Sequence, residues 1–263
     1  MSAELEFDEE TSRLVEAVYL TPDVAATRHA VLRALELRQG ERFLDVGVGP
    51  GLLAAEAARA VGPAGQVCGI DLSDSMLALA RRRCADLPWV SIGRGDATAL
   101  PFPDGAFDAA AAVQVYAYVE DLDMALAELF RVLRPGGRAV VLDTDLASMV
   151  WHAEDQERMN RILAVYGQHA AYPNLPRILG PKLRSAGFTV RHRDLVPIFN
   201  PELHPNTFSH GSMEFVAGFI RGRGIPPDVV AAWLEELRAL GAAGRYFFSL
   251  NRYAFLATKP EPT

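Results

Sequence analysis

Apolar and polar positions along the middle of the chain switch between the short runs of buried strands and the three-to-four spacing of amphipathic helices. From residue 42 onward, runs typical of strands and helices follow each other as Arg42–Val46, Leu52–Val61, Gln66–Ile70 and Ser75–Ala85. Strand patterns at Trp89–Gly93 and Phe107–Val115 come next, and the second is apolar enough to be buried on both faces. Such alternation is typical of βαβ units, which place parallel strands in one sheet.

The pattern continues through a well-marked helix. Asp121 can cap it, and its apolar positions recur at helical spacing on one side: Leu122, Leu126, Leu129, Phe130 and Leu133. Pro135-Gly136-Gly137 ends this helix, and Ala139–Leu142 is predicted as the fifth strand. A helix over Leu175–Ala186 then precedes two more strands, Phe188–Ile198 and Tyr246–Thr258.

Three segments interrupt this alternation and predict cap material. The first contains a helix that begins at Thr21-Pro22-Asp23, and the second a helix with Met159, Ile162, Leu163 and Tyr166 on one face. The third, Asn200–Gly244, contains a helix that starts at Pro226-Pro227. We therefore predict an α/β fold with a doubly wound, mostly parallel, seven-stranded sheet and helical cap insertions. A single domain, 1–263, would have its core at about 36–146, 175–199 and 245–260, and its cap at about 1–35, 147–174 and 200–244.

Composition narrows the classes of function. The chain has 263 residues, half of them hydrophobic, and a formal net charge of −7 without a basic stripe. Nucleic-acid-binding proteins concentrate Lys and Arg to neutralise phosphates, so we expect no nucleic-acid partner. Residues 1–10 lack a signal-peptide pattern, and no apolar run reaches the roughly 20 residues of a membrane span, so we expect a cytoplasmic protein. Cys68 and Cys84 lack metal-ligand spacing, and no metal site is predicted.

A glycine-rich turn follows the first predicted strand. The segment Phe43–Val46 runs directly into Gly47-Val48-Gly49-Pro50-Gly51 and then into a helix. In open parallel sheets, ligands bind beyond the carboxyl ends of the strands, and glycine allows the backbone to approach a ligand closely. A dinucleotide fingerprint needs Gly or Ala three residues after Gly49, where this chain has Leu52, and no Gly-Lys-Ser/Thr follows to form a P-loop. The spacing therefore favours a nucleoside ligand without a phosphate chain.

A carboxylate closes the second strand. Asp71 lies twenty residues beyond Gly51 at the carboxyl edge of the sheet, where it can accept hydrogen bonds from both hydroxyls of a ribose. The same side chain could cap the helix that begins near Ser73 or Asp74, and the two roles are compatible.

Five motifs follow each other along the chain: Leu44-Asp45-Val46-Gly47-Val48-Gly49-Pro50-Gly51, Gly69-Ile70-Asp71-Leu72-Ser73, Gly95-Asp96-Ala97 before Leu100-Pro101-Phe102, Phe107-Asp108, and Arg131-Val132-Leu133-Arg134-Pro135-Gly136-Gly137. In this order they resemble the class I S-adenosylmethionine-dependent methyltransferases, specifically the small-molecule group that includes the ubiquinone and menaquinone methyltransferases. The resemblance runs from about residue 42 to 145, with weaker similarity to 188. It implies a Rossmann-like methyltransferase fold and S-adenosyl-L-methionine as cofactor, released as S-adenosyl-L-homocysteine.

The resemblance also implies which residues hold the methionine and ribose parts of the cofactor. The turn at Gly47, Gly49 and Gly51 would receive the methionine part, with Asp45 just before it in the same motif. Asp71 would bind the ribose.

Five further positions complete the predicted cofactor site. By the same resemblance, Leu72 and Met76 would pack near the adenine, and Asp96 with Ala97 would address the adenine edge. Gln114, at the end of the fourth strand, would lie near the sulfonium and the amino acid portion.

The cap is expected to supply the acceptor site, because its segments connect at the sheet edge and carry many apolar residues. We predict a small, largely apolar metabolite as acceptor, contacted by Tyr19, Tyr118 and Trp151; Phe208 and Phe215 are further candidates. His152 and Tyr116 are the predicted catalytic residues. Other candidate bases are His169, His210 and Asp145, and at most one of Asp143 and Asp145 is expected to face the site.

Two other readings of the same site stay open at the level of sequence. The chain could bind S-adenosylmethionine without transferring its methyl group, as a cyclase or decarboxylase, or it could be a cofactor-sensing module. A nicotinamide oxidoreductase is disfavoured by Leu52. The acceptor, the atom methylated and the oligomeric state are not determined by these patterns.

Overall fold

Seven strands form one sheet in the order β3-β2-β1-β4-β5-β7-β6. The computed structural model describes residues 9–262, so the first eight residues of the predicted cap, and most of the stretch judged for a signal peptide, lie outside it. The strands are β1 (Arg42–Val46), β2 (Gln66–Asp71), β3 (Val90–Arg94), β4 (Phe107–Val113), β5 (Leu133–Trp151), β6 (Thr189–Asn200) and β7 (Phe248–Thr258). The first five strands are parallel, and β7 runs antiparallel between β5 and β6. The predicted sheet is confirmed.

Helices cover both faces of the sheet and form the cap. They are α1 (Glu9–Tyr19), α2 (Pro22–Leu35), α3 (Leu52–Val61), α4 (Asp74–Arg83), α5 (Leu122–Val132), α6 (Gln156–Tyr166), α7 (Pro176–Ser185), α8 (Phe208–Ile220) and α9 (Pro227–Ala242). Apolar side chains of α5 and α7 form one core against the sheet, and those of α2, α3 and α4 form the core on the other face. Within residues 9–262, no helix combines the length and apolarity that a membrane crossing requires.

The sequence patterns located most elements and misjudged two. Strand β5 continues past the predicted Ala139–Leu142 to Trp151, because its last residues pair with β7 beyond an irregularity between Asp145 and Val150. Residues 147–151, predicted as cap, therefore belong to the sheet. Helix α8 was not predicted, although Thr207 caps it by accepting a hydrogen bond from the His210 N–H. Its buried positions pack with α6 and α9 in a third apolar core.

The strand order reverses between β1 and β4. These neighbours are in register from Phe43 with Ala109 to Val46 with Ala112, so their carboxyl ends lie side by side. In doubly wound sheets such a reversal opens a crevice in which ligands bind. The turn after β1 and the residue after β4 therefore meet at one place.

Asp23 ties the cap to the sheet. Its Oδ1 accepts hydrogen bonds from the Thr21 hydroxyl (2.5 Å) and the Val24 N–H (3.0 Å), at the start of α2. Its Oδ2 accepts from the Asn200 amide (2.9 Å) at the end of β6 and from the Phe208 N–H (2.8 Å) at the start of α8. Burial alone would raise the pKa of this carboxyl, but these four bonds together lower it below the ordinary value of 3.8. One carboxylate thus joins three elements.

Replacing Asp23 with Asn should lower the free energy of unfolding by about 1–3 kcal/mol, because the neutral amide cannot accept all four bonds and brings two donors of its own. Since the folded state holds the pKa of Asp23 below 3.8, the stabilisation is present above that pH and is lost as the pH falls through the folded-state pKa. Chemical denaturation at a series of pH values should show that the wild type and Asp23→Asn differ less in free energy of unfolding as the pH becomes acidic. Asp228→Asn, at an exposed acidic residue in the first turn of α9, is the control and should change little.

Candidate functional site

The glycine turn and the carboxylate of β2 are joined directly. The Gly49 N–H donates to Asp71 Oδ2 at 2.9 Å, and the Ser73 N–H donates to Asp71 Oδ1 at 2.9 Å. Ser73 rather than Asp71 caps α4, because its hydroxyl accepts from the Met76 N–H. Asp71 therefore has each oxygen fixed by one backbone donor. A carboxylate oxygen accepts more than one bond, so both retain capacity toward ribose hydroxyls.

Two of the three turn glycines face the cavity. Gly47 and Gly49 have φ of +69° and +52°, in the left-handed region that favours glycine. A Cβ on Gly49 would meet nothing within 4 Å, whereas one on Gly47 would lie 2.3 Å from a methyl of Val115, which also lines the cavity. The backbone at Gly49 thus borders open space of the kind that a close-lying ligand requires.

Gly51 has a different role from the one predicted. A Cβ there would lie 2.8 Å from the Cα of Ala80 in α4, and its N–H already donates to the Val48 carbonyl. Gly51 is not among the residues that line the cavity. Its lack of a side chain lets the turn pack against α4, and the geometry gives no support to a cofactor contact at Gly51.

Asp45 is a buried carboxyl at the floor of the site. It is 2% exposed, it lines the cavity, and its Oδ2 has no hydrogen-bond partner among the described residues. Burial, with a smaller effect from the charge of Asp71, raises the pKa of Asp45 to about 8. An ammonium group placed beside it would stabilise the charged form. A buried carboxyl with one oxygen unpartnered among the described residues fits the amino group of the methionine part.

The residues predicted near the adenine line the same cavity. Leu72 is 51% exposed at the rim, and Met76 is buried against Val15 of α1. Ala97 is buried, while the Asp96 carboxylate accepts from the N–H and the hydroxyl of Thr98, both at 2.8 Å. Asp96 therefore also has the turn-forming role that short acidic side chains often take.

Gln114 is held by a hydrogen-bond network at the end of β4. Its φ is +59°, a strained value for a residue with a side chain, and its N–H donates to the Leu142 carbonyl at 2.8 Å. The Gln114 amide donates to Asp143 Oδ1 at 3.3 Å and accepts from the Thr144 hydroxyl at 2.6 Å. This network fixes the amide where β4 and β5 end at the cavity.

The cavity continues from the glycine turn into the cap and encloses about 1410 Å³. Helices α1, α2 and α8 wall the far part with mostly apolar side chains that include Val18, Val24, Phe208, Phe215 and Phe219. A pocket for one small ligand usually measures roughly 300–1,000 Å³, so this one can hold two. The polar turn and the apolar cap therefore bound one continuous space.

An aromatic cluster lines the cap side. The His169 Nδ1 lies 2.5 Å from the Tyr166 carbonyl, which can only accept, so Nδ1 carries a proton. Burial lowers the pKa of His169, and the neutral ring then accepts from the Tyr118 hydroxyl at 3.4 Å through Nε2. Tyr19 lines the cavity next to this cluster. Of the residues predicted to contact the acceptor, Tyr19 and Tyr118 thus border the space.

Three other predicted residues lie elsewhere. Trp151 is 1% exposed, and its ring packs on Trp233 and Phe248 in the cap core, outside the cavity. Its neighbour His152 does not line the cavity either. The Tyr116 ring is fully buried in the core beneath α5, and burial raises the pKa of its hydroxyl, which has no partner among the described residues. The geometry therefore gives no support to an acceptor contact at Trp151 or to catalysis by His152 or Tyr116.

Some of the candidate bases line the cavity and others do not. His169 and His210 line the cavity, and so does Asp143, while Asp145 forms an ion pair with Arg177 at 3.0 Å outside it. Of the two acidic residues that flank Thr144, Asp143 thus lines the cavity and Asp145 does not. Regular strand alternation would place both on one face, but β5 becomes irregular directly after Asp145.

Arg252 is a cavity residue that the sequence patterns did not single out. It lies on β7 and is 3% exposed. The signal available in the sequence was a lone basic residue within the apolar strand Phe248–Thr258. Long charged side chains are seldom fully buried, so such a position is informative.

Alanine at Gly49 and at Gly51 should have different consequences. At Gly51 the added methyl meets the α4 backbone, and the expected loss of stability is about 2–4 kcal/mol. At Gly49 the methyl enters open space, so the loss should be only about 1–2 kcal/mol. Affinity for S-adenosylhomocysteine should fall about tenfold or more in Gly49→Ala. Calorimetric binding and thermal unfolding of both variants provide the comparison, and unchanged affinity in Gly49→Ala would contradict this assignment of the turn.

The chain matches a family model described as a methyltransferase domain over residues 44–141. An uncharacterised 37.1 kDa protein in transposon TN4556 of Streptomyces fradiae is 34% identical over 245 residues, which cover 90% of this chain and 68% of that protein. The ubiquinone/menaquinone biosynthesis C-methyltransferase UbiE of Teredinibacter turnerae is 46% identical over 110 residues. That match spans 41% of this chain and 44% of the relative, so this chain spans less than half of the quinone methyltransferase that it resembles.

Solved structures share the fold over almost the whole chain. The [4+2]-cyclase SpnF superposes with a TM-score of 0.58 at 25% identity, covering 100% of this chain and 85% of that one. Phosphoethanolamine N-methyltransferase 2 of Haemonchus contortus, in complex with S-adenosyl-L-methionine, superposes with a TM-score of 0.64 at 22% identity. The match covers 98% of this chain and 59% of that one. These structures show the shared fold. The domain match over the glycine turn and Asp71, with the quinone methyltransferase relative, shows that the chain carries a class I S-adenosylmethionine-dependent methyltransferase domain.

Proposed function

We propose that the chain transfers the methyl group of S-adenosylmethionine to a small, largely apolar metabolite. The observation that carries the proposal is the single cavity of about 1410 Å³, which begins at Gly47, Gly49 and Asp71 and ends among the apolar residues of α1, α2 and α8. A cofactor bound at the turn would leave the cap side for an acceptor. The exclusion of nucleic acids and the cytoplasmic location stay predictions.

The contribution of the protein is mainly to position and enclose the reactants. When bound, S-adenosylmethionine supplies an electrophilic methyl carbon for in-line displacement by the acceptor. The fixed amide of Gln114 and the carboxyl of Asp45 would hold the methionine part, while Tyr118 and His169 border the space beyond. Correct alignment of two reactants can contribute about 7–11 kcal/mol, and the apolar cap excludes water from the reacting atoms.

Asp143 is the base that the site offers when the acceptor must lose a proton. It is 1% exposed, lines the cavity, and accepts hydrogen bonds from the Ala117 N–H at 3.2 Å and from Gln114. Burial raises the pKa of Asp143 to about 7, although hydrogen bonds from the backbone N–H groups of Ala117, Thr144 and Tyr116 and the charge of Arg252 act in the opposite direction. The other titratable groups near it are the phenols of Tyr19, Tyr116 and Tyr118. A base whose pKa lies near neutrality suits proton transfer at physiological pH.

A second function, cyclisation without methyl transfer, is favoured by one observation. The [4+2]-cyclase SpnF covers all of this chain at 25% identity, which extends the likeness through the cap as well as the sheet. In that case the cofactor would be retained rather than consumed. Product analysis separates the two functions.

Methyl transfer is tested by incubating the protein with methyl-labelled S-adenosylmethionine and a fractionated small-molecule extract. The expected result is a labelled compound and one equivalent of S-adenosylhomocysteine. Asp71→Ala, which removes the predicted ribose contact, is the control and should give neither. Conversion of an extract compound without consumption of the cofactor would favour the cyclase, and absence of binding to the cofactor or its demethylated product would contradict both functions.

The role of Asp143 predicts a pH profile. With the acceptor found above, turnover should rise with pH through about 7, because only the deprotonated carboxylate accepts a proton. Asp143→Asn should lower the rate about a hundredfold or more and remove this rise. Asp145→Asn, two residues along the same strand but outside the cavity, should retain the wild-type profile. An unchanged profile in Asp143→Asn would exclude this residue as the base.

A further inference from the structure

Arg252 places a buried positive charge in the wall of the cavity. Its partner across β5 is Thr144, the residue whose hydroxyl donates to the Gln114 amide. Directly opposed residues of an antiparallel pair have Cβ atoms about 4.5–5.5 Å apart on one face of the sheet. The guanidinium side chain therefore starts beside the network that marks the boundary between the cofactor and acceptor parts of the cavity.

The hydrogen bonds of Arg252 are few for so buried a group. Nη1 donates to the Thr27 hydroxyl at 3.3 Å, and Cζ lies 4.9 Å from the centre of the Phe208 ring. Nε has no acceptor among the described residues. A guanidinium carries five N–H donors, so the described residues use only a small part of its capacity.

The nearest carboxylates are engaged with other groups. Asp23 and Asp143 both act on Arg252 through space, but neither forms an ion pair with it, and no other described carboxylate does. Asp23 accepts four hydrogen bonds at the starts of α2 and α8, and Asp143 accepts from Ala117 and Gln114. Within the part of the chain that the structure describes, the charge of Arg252 therefore lacks a counter-ion at hydrogen-bonding distance.

A second buried arginine in the same wall shows the usual arrangement. Arg28 lines the cavity from α2, but its Nε donates to Glu56 at 3.2 Å and its Nη1 to the Tyr19 carbonyl at 2.5 Å. Burying a charge without such a partner is strongly unfavourable, because the lost hydration is not replaced. The burial of Arg252 therefore carries an unfavourable free energy that pairing with an anionic ligand could offset.

We infer that Arg252 binds an acidic group of the acceptor, which is therefore an apolar molecule that carries a carboxylate. This inference rests on the proposed function, since it assigns the ligand of the cap side of the same cavity. The apolar walls from α1 and α8 would enclose the body of the acceptor, and the guanidinium would pair with its carboxylate at the sheet end. Hydrogen bonds between charged partners are about twice as strong as neutral ones, so the pair would set both orientation and selectivity.

The test compares an acid with its neutral amide in protein saturated with S-adenosylhomocysteine. The probes are 2-naphthoate against 2-naphthamide and octanoate against octanamide, titrated by isothermal calorimetry. The wild type should bind each acid about tenfold or more tightly than the amide of the same shape. Arg252→Met should bind acid and amide equally, with unchanged affinity for S-adenosylhomocysteine, which also reports that the variant is folded. Arg252→Gln, which retains a donor for Thr27 but no charge, serves the same purpose if the Met variant does not fold.

Arg193→Met is the matched control. Arg193 lies on the neighbouring strand β6, also over a phenylalanine ring (Phe255, 5.9 Å), but outside the cavity. It should keep the wild-type preference for acids. Equal binding of acid and amide by the wild type, or a preference that persists in Arg252→Met, would overturn the inference and leave the proposed function intact. If the wild type does not bind S-adenosylhomocysteine, the proposed function itself fails.

Discussion

The hydrogen bond from the Gly49 N–H to Asp71 Oδ2 holds together the two motifs on which the site depends. It joins the turn after β1 to the end of β2, and the second oxygen of the same carboxylate is held by Ser73 at the start of α4. A partly buried, charge-assisted bond of this kind is stronger than a neutral one. It positions the carboxylate and the glycine backbone relative to each other before any ligand arrives, and such preorganisation lowers the entropy lost on binding.

The polar and apolar parts of the cavity come from different sources in the chain. Its polar side is built at the carboxyl ends of β1, β2, β4 and β5, where strand register alone brings Gly47, Asp71, Gln114 and Asp143 to one edge. Its apolar side comes from α1, α2 and α8, which pack on one another and on α4 and α6. A rigid sheet can thus bind a constant ligand, while the cap adapts to a variable one.

The part of the site that consists of contiguous motifs could be predicted from the sequence. The strand–turn–helix around Gly49 and the carboxylate twenty residues beyond Gly51 are contiguous motifs, and Asp45, Gly47, Gly49, Asp71 and Gln114 all line the cavity. Side-chain direction was harder to predict. The sequence does not reveal that Gly51 faces Ala80, that Trp151 completes a core with Trp233, or that Tyr116 points away from the cavity while Tyr118 points into it. These depend on packing between segments remote in the chain.

Four residues of the site, of which the sequence patterns missed only Arg252, share an energetic signature. Asp45 and Asp143 are buried carboxyls whose pKa values burial raises to about 8 and about 7, and Gln114 has a left-handed backbone. Arg252 is a buried cation that forms no ion pair with any described residue. Each of these destabilises the folded chain, and an apolar residue would be more stable at each buried position. They lie around a single cavity rather than being scattered through the fold. A bound ligand can offset the unfavourable free energy of such groups. Their position around one cavity therefore supports the assignment of this cavity as the binding site.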